Sequence, residues 1–532
     1  MRAPRWLLLT LVFALCTAGG YLIVRTAKPD STRTKSNANE PKQEIVYHDT
    51  AGPTFRSGDR KEGKPKGGDA EALSKGALAG QRSITFTDKA AMQKFLEKIQ
   101  GKGIAVLGRL DAINTLRVGF LSADELASAL DGSEKTGFIF PVSVPTLPEG
   151  SVQPGAVALG NHLADWLGIS DYDRTSWGKG LNVAVLDTGI STLASFFNKV
   201  NQSALVDFGS DATALNGHGT AVASLINSIA PDANILSYRI ADDNGLSNSG
   251  LIAEGILKAV ADGASVINIS LGGFGDSLVL RQAVEYAQQN GVTIVAATGN
   301  NGIDQIAQPA SIDGVIAVGA VDANGDRLLF SNTGKQISSM APGYGVAAEG
   351  IDGSTIYFSG TSASAPIETG VLLATMSNSV LSGTLSSTDA AALVASLLDE
   401  SGAPGFDTEY GGGAVDLGRV MLSRTANVTD SAVASQWVTT NANGQQVLQV
   451  TVQNRGTNTL YNIPVQVTTP NGNASFNVGS LTSTAIQTFE VPIIVTDSSM
   501  TFQSSIGVPG GQSDANAANN RRKDVYTPAS AQ

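Results

Sequence analysis

Val183-Ala-Val-Leu-Asp-Thr-Gly189 is an unbroken apolar run closed by a carboxylate, a hydroxyl and a turn residue. Four consecutive aliphatic side chains leave no polar face, so the run reads as a strand covered on both sides. Two further runs share this texture, Val266-Ile-Asn-Ile-Ser-Leu271 and Val292-Thr-Ile-Val-Ala-Ala297. Between them Ile252, Ile256, Leu257 and Val260 stripe a helix stopped by Gly263, and Val284 and Ala287 mark another stopped by Gly291. Buried strands alternating with amphipathic helices from Asn182 to about Met421 predict an α/β domain over 150–424, a doubly wound, mainly parallel sheet. Ligands of such sheets bind beyond the carboxyl ends of the strands.

On the N-terminal side the texture changes at Arg82. Ile84 and Phe86 alternate as in a strand; Thr87 and Asp88 offer N-caps to a helix carrying Met92, Phe95, Leu96 and Ile99 on one face. Two strands follow, then the capping box Ser122-Ala-Asp-Glu125 opens a helix with Leu126 and Leu130, and Phe138-Ile-Phe-Pro-Val142 closes the unit as one strand. The order β-α-β-β-α-β predicts a ferredoxin-like α+β domain over 82–145. On the C-terminal side helices vanish after Asn427. Apolar alternation at 447–453, 464–469, 489–495 and 523–526, separated by Asn, Gly, Ser and Pro, predicts an all-β sandwich over 427–532.

The chain has 532 residues, too many for one core, and a net charge of -12 that argues against nucleic acid as a partner. Its one cysteine, Cys16, excludes an intramolecular disulfide. Cys16 lies in the apolar segment 6–24, flanked by Arg2 and Arg5 before and Arg25 and Lys28 after. This segment reads either as an export signal cut near Cys16-Thr17-Ala18 or as an uncleaved membrane anchor; both put the rest of the chain outside the cytoplasm. Residues 29–81, polar and poor in aromatics, read as a linker that cannot offset the entropy of ordering.

Amide hydrolysis through a serine takes a hydroxyl, a base, a carboxylate that orients the base, and donors for the oxyanion. Three histidines are available: His48 in the linker, His162 before the sheet, and His218 between glycines in Asn216-Gly-His-Gly-Thr220. Taken alone His218 is as readily structural as catalytic. Asp187 ends the first buried strand. Its Asp-Thr-Gly is also the aspartic-protease signature, but that chemistry needs a second such aspartate and the chain has no other Asp-Thr-Gly or Asp-Ser-Gly. Ser362, in Gly360-Thr-Ser-Ala-Ser-Ala-Pro366, has small neighbours and a helix-starting proline; a plain helix cap would look the same. Asn300, in Ala296-Ala-Thr-Gly-Asn300, follows a buried strand, where Gly-Asn alone is just a turn.

In order, Leu186-Asp-Thr-Gly189, Gly217-His-Gly-Thr220, Val266-Ile-Asn-Ile-Ser-Leu-Gly-Gly273, Ala297-Thr-Gly-Asn300 and Gly360-Thr-Ser-Ala-Ser-Ala-Pro366 resemble the motifs of the subtilisin-like serine proteases, with weaker matches at Met340-Ala-Pro-Gly343 and Gly412-Gly-Ala-Val-Asp416. The resemblance implies a peptide-bond hydrolase acting on proteins. It makes Asp187 the orienting carboxylate, His218 the base and then acid, Ser362 the nucleophile, and Asn300 an oxyanion donor beside the Ser362 N–H. It implies that Ser270, Leu271 and Gly272 bind substrate as a β-strand. It makes the domain over 82–145 a propeptide that inhibits the enzyme and is removed by self-cleavage between about 141 and 160. The calcium loop that extended family members insert after the histidine has no counterpart in the run from Ala221 to Arg239; Asp211 before that run and Asp242 and Asp243 after it are available oxygens, but loop carboxylates are usually just solvated, and no metal ligand is named. Ile367-Glu-Thr-Gly370 replaces the His-Val-Ala-Gly common after the family's serine. The C-terminal sandwich resembles bacterial cell-adhesion domains. The alternative class is a surface adhesion or scaffold protein carrying an inactive protease domain.

Overall fold

A computed structural model describes residues 69–144, 152, 154–206, 216–378, 385–510 and 512–528. The segment 6–24, Cys16, His48, Asp211, and residues 145–151 and 153 of the expected maturation region lie outside the described residues. All described residues belong to the unit His48–Gln532; the chain's other unit is Met1–Tyr47. Among the described residues no helix is long and apolar enough to cross a membrane.

The linker expectation fails for 69–81. Helix α1 (Ala70–Ser74) is capped by Asp69, which accepts the Ala72 N–H at 3.3 Å and receives both terminal nitrogens of Arg82 at 2.5 and 2.6 Å. The Arg82 guanidinium also lies 4.2 Å from the centre of the Phe138 ring. Polar composition hides this pair, in which each charge neutralises the other on the surface of a sheet. The pair holds the Asp69 carboxyl below the usual carboxylate range against the opposing effect of burial.

Strands β1 (Gln81–Thr85), β2 (Ile104–Leu110), β3 (Thr115–Phe120) and β4 (Lys135–Phe138) form an antiparallel sheet in the order β2-β3-β1-β4. Helices α2 (Lys89–Lys98) and α3 (Ala123–Ala129), capped by Asp88 and Ser122, press Met92, Phe95, Leu126 and Ala129 onto Ile84, Leu116 and Val118. The expected single strand 138–142 is in fact two. The chain leaves the sheet after Phe138, and β5 (Pro141–Ser143) pairs with a strand of the next domain. Pro141 has no N–H to continue the first ladder.

The next domain contains α4 (Leu163–Trp166), β6 (Asn182–Asp187), β7 (Val200–Ala204), α5 (His218–Ile229), β8 (Asn234–Arg239), β9 (Leu246–Asn248), α6 (Ser249–Ala261), β10 (Val266–Ile269), α7 (Leu278–Gln289) and β11 (Thr293–Ala297). It continues through β12 (Ile316–Val321), β13 (Ile337–Pro342), β14 (Val346–Glu349), β15 (Thr355–Phe358), α8 (Thr361–Ser377), α9 (Ser387–Ser396) and α10 (Leu417–Leu422). Seven strands align in the order β13-β12-β11-β10-β6-β8-β7, every neighbouring pair parallel, as the apolar runs predict. Alternate residues of β6 serve opposite faces. Val183 and Val185 join the core under α5 and α8, while Ala184 and Leu186 join the core under α6 and α7. Helix α8 is buried through Met376 on every side, a core helix and not a surface one. Because β6 starts the sheet in its middle and the chain winds outward both ways, a switch point opens between β6 and β10 at their carboxyl ends.

The remaining described chain is a sandwich of β16 (Ser431–Thr440), β17 (Gln446–Asn454) and β20 (Ile486–Pro492) against β18 (Leu460–Thr469), β19 (Gly472–Leu481), β21 (Met500–Ile506) and β22 (Arg521–Tyr526). Leu448, Val450 and Val452 from one sheet meet Ile463, Val465 and Val467 from the other.

Candidate active site

The switch point collects one residue from each of four elements. Asp187 is the last residue of β6 and is buried; His218 opens α5; Asn300 follows β11; Ser362 sits in the first turn of α8. The His218 Nδ1 lies 2.8 and 3.0 Å from the two carboxylate oxygens of Asp187. That bond leaves the other ring nitrogen, Nε2, turned away from the carboxylate; it is buried and has no hydrogen-bond partner among the described residues. Asp187 Oδ1 also accepts the Thr188 N–H at 2.7 Å, and Thr188 Oγ1 accepts the Gly219 N–H at 3.0 Å, which pins α5 to the end of β6. Gly219 is required for that approach: a Cβ there would stand 2.4 Å from the Gly189 carbonyl and 3.1 Å from Asp187 Oδ1. Phe358 packs edge-on to the imidazole, with ring centres 5.3 Å apart.

The Ser362 hydroxyl donates to the Ser270 carbonyl at 3.0 Å and not to the imidazole. Asn300 is held by its oxygen, which accepts the N–H and the hydroxyl of Thr361 at 2.9 and 2.8 Å. Its amide nitrogen is thereby aimed away from those bonds, and it is buried without a partner among the described residues. An unpaired buried donor costs about 1–3 kcal/mol, a cost recovered when an acceptor arrives. The N-terminal end of α8 adds the positive end of the helix dipole.

Ser270, Leu271 and Gly272 follow β10. Leu271 turns its side chain into the core, so the segment offers main chain only. The Gly272 N–H and carbonyl exchange hydrogen bonds with Ser143 at 3.2 and 3.3 Å, and the Val144 N–H donates to the Gly245 carbonyl at 2.9 Å. β5 thus lies extended between Gly272 and β9, with Pro141, Val142 and Ser143 opposite Asn248, Ser247 and Leu246. The second wall of this groove, β9, escapes sequence reasoning; its only signal is the turn Asn244-Gly245 ahead of a helix. Phe358 and Thr361 are missed too, Thr361 although it lies inside a quoted motif.

His162 is exposed and paired with Asp165, remote from these residues in the bonding network. Asp243 pairs with Arg239, and Asp242 accepts the N–H groups of Asn244 and Leu246, so both carboxylates are engaged within the protein. No cluster of three or more metal-ligating side chains occurs among the described residues. Glu368, two turns along α8 from Ser362, is buried with Ser339 Oγ donating to it at 3.2 Å, and burial pushes its carboxyl up to about 7.

The family described as the subtilase family, peptidase S8, matches residues 178–413. The thermophilic serine proteinase of Bacillus sp. (strain AK1) is 38% identical over 207 residues, 37% of this chain and 52% of that protein. Subtilisin DY of Bacillus licheniformis is 35% identical over 202 residues, 36% of this chain and 74% of that protein. M-protease of Shouchella clausii (strain KSM-K16) is 37% identical over 300 residues, 54% of this chain and 79% of that protein. This chain therefore spans about half of the first relative and roughly three quarters of the other two.

Proposed function

The chain belongs to the subtilase family, and on that premise we propose that it is an exported serine endopeptidase that cleaves proteins through an acyl-enzyme on Ser362 and matures by cutting away its own N-terminal domain. The observation that carries this reading is the conjunction at the switch point: a carboxylate-held imidazole and an asparagine amide, each with one buried unpartnered nitrogen, beside a serine at a helix start.

In the reaction the Ser362 hydroxyl turns from the Ser270 carbonyl to His218 Nε2. Its proton passes to that nitrogen as Oγ bonds to the substrate carbonyl carbon. The imidazolium is stabilised by Asp187, which stays ionised. The oxygen of the tetrahedral intermediate takes hydrogen bonds from Asn300 Nδ2 and the Ser362 N–H. Collapse breaks the C–N bond, and Nε2 returns the proton to the leaving amine. Water then repeats the sequence on the ester, giving its proton to Nε2 and its oxygen to the acid product. A protein substrate would lie as β5 lies, paired with Gly272 on one side and β9 on the other; β5 itself would be the inhibitory strand until displaced.

A fluorophosphonate reagent tests the reading, because it traps only a serine activated by its base. Labelling of the mature protein that disappears in Ser362→Ala supports an enzyme. Equal labelling of both, or none of either, leaves the inactive scaffold as the function.

A further inference from the structure

Arg117 is a charged side chain of the N-terminal sheet that is only 6% exposed. It points out of β3 on the face away from α2 and α3 and enters the neighbouring domain. Nη1 donates to Asn248 Oδ1 at 3.1 Å, and Nη2 donates to the Leu107 carbonyl at 3.1 Å with Glu254 Oε2 3.9 Å away. The receiving surface is shaped to fit. Gly250 makes room where a Cβ would stand 2.7 Å from Arg117 Cδ. Asn248 Oδ1 takes the guanidinium while capping α6 through the Gly250 and Leu251 N–H groups, both at 3.0 Å. Burial depresses the pKa of Arg117 and raises that of Glu254, and each charge works against the shift of the other. A guanidinium removed from water at that cost is retained only where its partners are in place.

We propose that Asn248, Gly250 and Glu254 form a guanidinium socket through which the catalytic domain recognises its own N-terminal domain, with Arg117 as the inserted residue. Recognition at this socket and closure of the groove are then one event, because Asn248 ends β9, the strand that holds β5. The planar fork matters as much as the charge: a lysine reaches Asn248 or the Leu107 carbonyl but not both. This inference rests on the reading of the N-terminal domain as a cleavable inhibitor, and its tests separate the two.

In full-length protein carrying Ser362→Ala, which cannot cut itself, amide hydrogen exchange at the start of α6 reports docking alone. Arg117→Ala should raise exchange at Gly250 and Leu251 at least tenfold while leaving the β10–β11 core amides unchanged; unaltered exchange at α6 overturns the socket. In the chain that keeps Ser362, the self-cleaved complex should gain activity on dilution. Arg117→Ala should shift the midpoint of that gain to a concentration about a hundredfold higher, as loss of one partner from a buried charge pair does. Arg117→Lys should recover less than half of the shift on a logarithmic scale, and full recovery would refute the fork. Glu254→Lys should weaken docking, and adding Arg117→Glu should restore part of it; a further loss in the double variant also counts against the socket. A response of α6 exchange to Arg117→Ala in a chain that shows no latency at any concentration would keep the socket and remove the inhibitor reading.

Discussion

Gly360 stands where any side chain would touch the Asn300 amide: a Cβ there falls 2.8 Å from Nδ2, and its φ of 121° disfavours all other residues. Gly360→Ala should therefore lower kcat by about the amount that Asn300→Ala does, about 10²–10³-fold, the range known for removing one oxyanion donor in subtilisin. KM should change little in Asn300→Ala, and a loss in kcat below about threefold would take the amide out of the reaction. Glu368 makes a second residue-level prediction, with the opposite purpose. Folded, its carboxyl keeps a proton up to about pH 7; unfolded, it releases it near 4.5. Stability therefore falls as pH rises from about 4.5 to 7 and stays at its lower level above. Glu368→Gln in the Ser362→Ala background should gain up to about 3 kcal/mol above pH 7 and almost nothing at pH 4. Urea unfolding at the two pH values checks this, and an equal gain at both would mean that charge is not the cause. Asp187, His218, Asn300 and Ser362, which the fold brings together as a candidate site, were legible as candidates because each lies in a short contiguous motif, Asp187 and Asn300 following apolar runs. The burial of Glu368 was not, since nothing local says that α8 is covered on every side; the hydroxyl's choice of the Ser270 carbonyl is likewise a matter of distance in space.

At the scale of elements, the parallel sheet was legible because doubly buried strands write continuous apolar runs. Among the missed strands β12 does write such a run, Ile316-Ala-Val-Gly-Ala-Val321, whereas others write none. Strand β9 is Leu-Ser-Asn, and what makes it a strand is β5 lying beside it. Strands β16, β19 and β21 mix Ser, Thr, Asn and Gln into the alternation because only one of their faces meets the sandwich core. The β5–β9 pairing bears on the proposed self-cleavage. Ser143 pairs with Gly272, two residues past Ser270, whose carbonyl holds the Ser362 hydroxyl. An antiparallel ladder steps one residue on each strand. Counted on by two residues, that register would offer Ser362 the carbonyl of Pro145, a residue that adds no N–H to the ladder, and the proposed self-cleavage would release a chain beginning Thr146. N-terminal sequencing of the matured protein reads this directly; a start at Pro148 would mean that the strand slips by two residues before it is cut.

At the scale of the whole molecule, the sandwich is not suspended from the catalytic domain but bonded into it. Gln453 at the end of β17 accepts the Glu400 N–H and donates to the Leu398 carbonyl, both at 3.1 Å. Two residues on, Arg455 pairs with Asp399 Oδ2 at 2.8 Å, and Arg419 of α10 reaches Asp399 Oδ1 at 3.3 Å. Asp399 is thus a carboxylate shared between a guanidinium of each domain, with Arg455 12% and Asp399 16% exposed. Beside it, burial first and the Asp399 charge second push the Asp416 carboxyl up to about 7, a shift that Arg455 of the sandwich and Arg419 of the catalytic domain both oppose. Removing one partner of a buried pair leaves the other charge uncompensated and costs about 3–5 kcal/mol; partial exposure here reduces that to about 2. In the Ser362→Ala background, where self-digestion cannot intrude, the two domains should unfold together in a single transition. Arg455→Ala should lower that transition and split it, with the catalytic domain melting first because Asp399, left with Arg419 alone, is on its side. Calorimetry decides the matter: one undivided transition at an unchanged temperature would mean that the sandwich contributes nothing to the stability of the domain that carries Ser362.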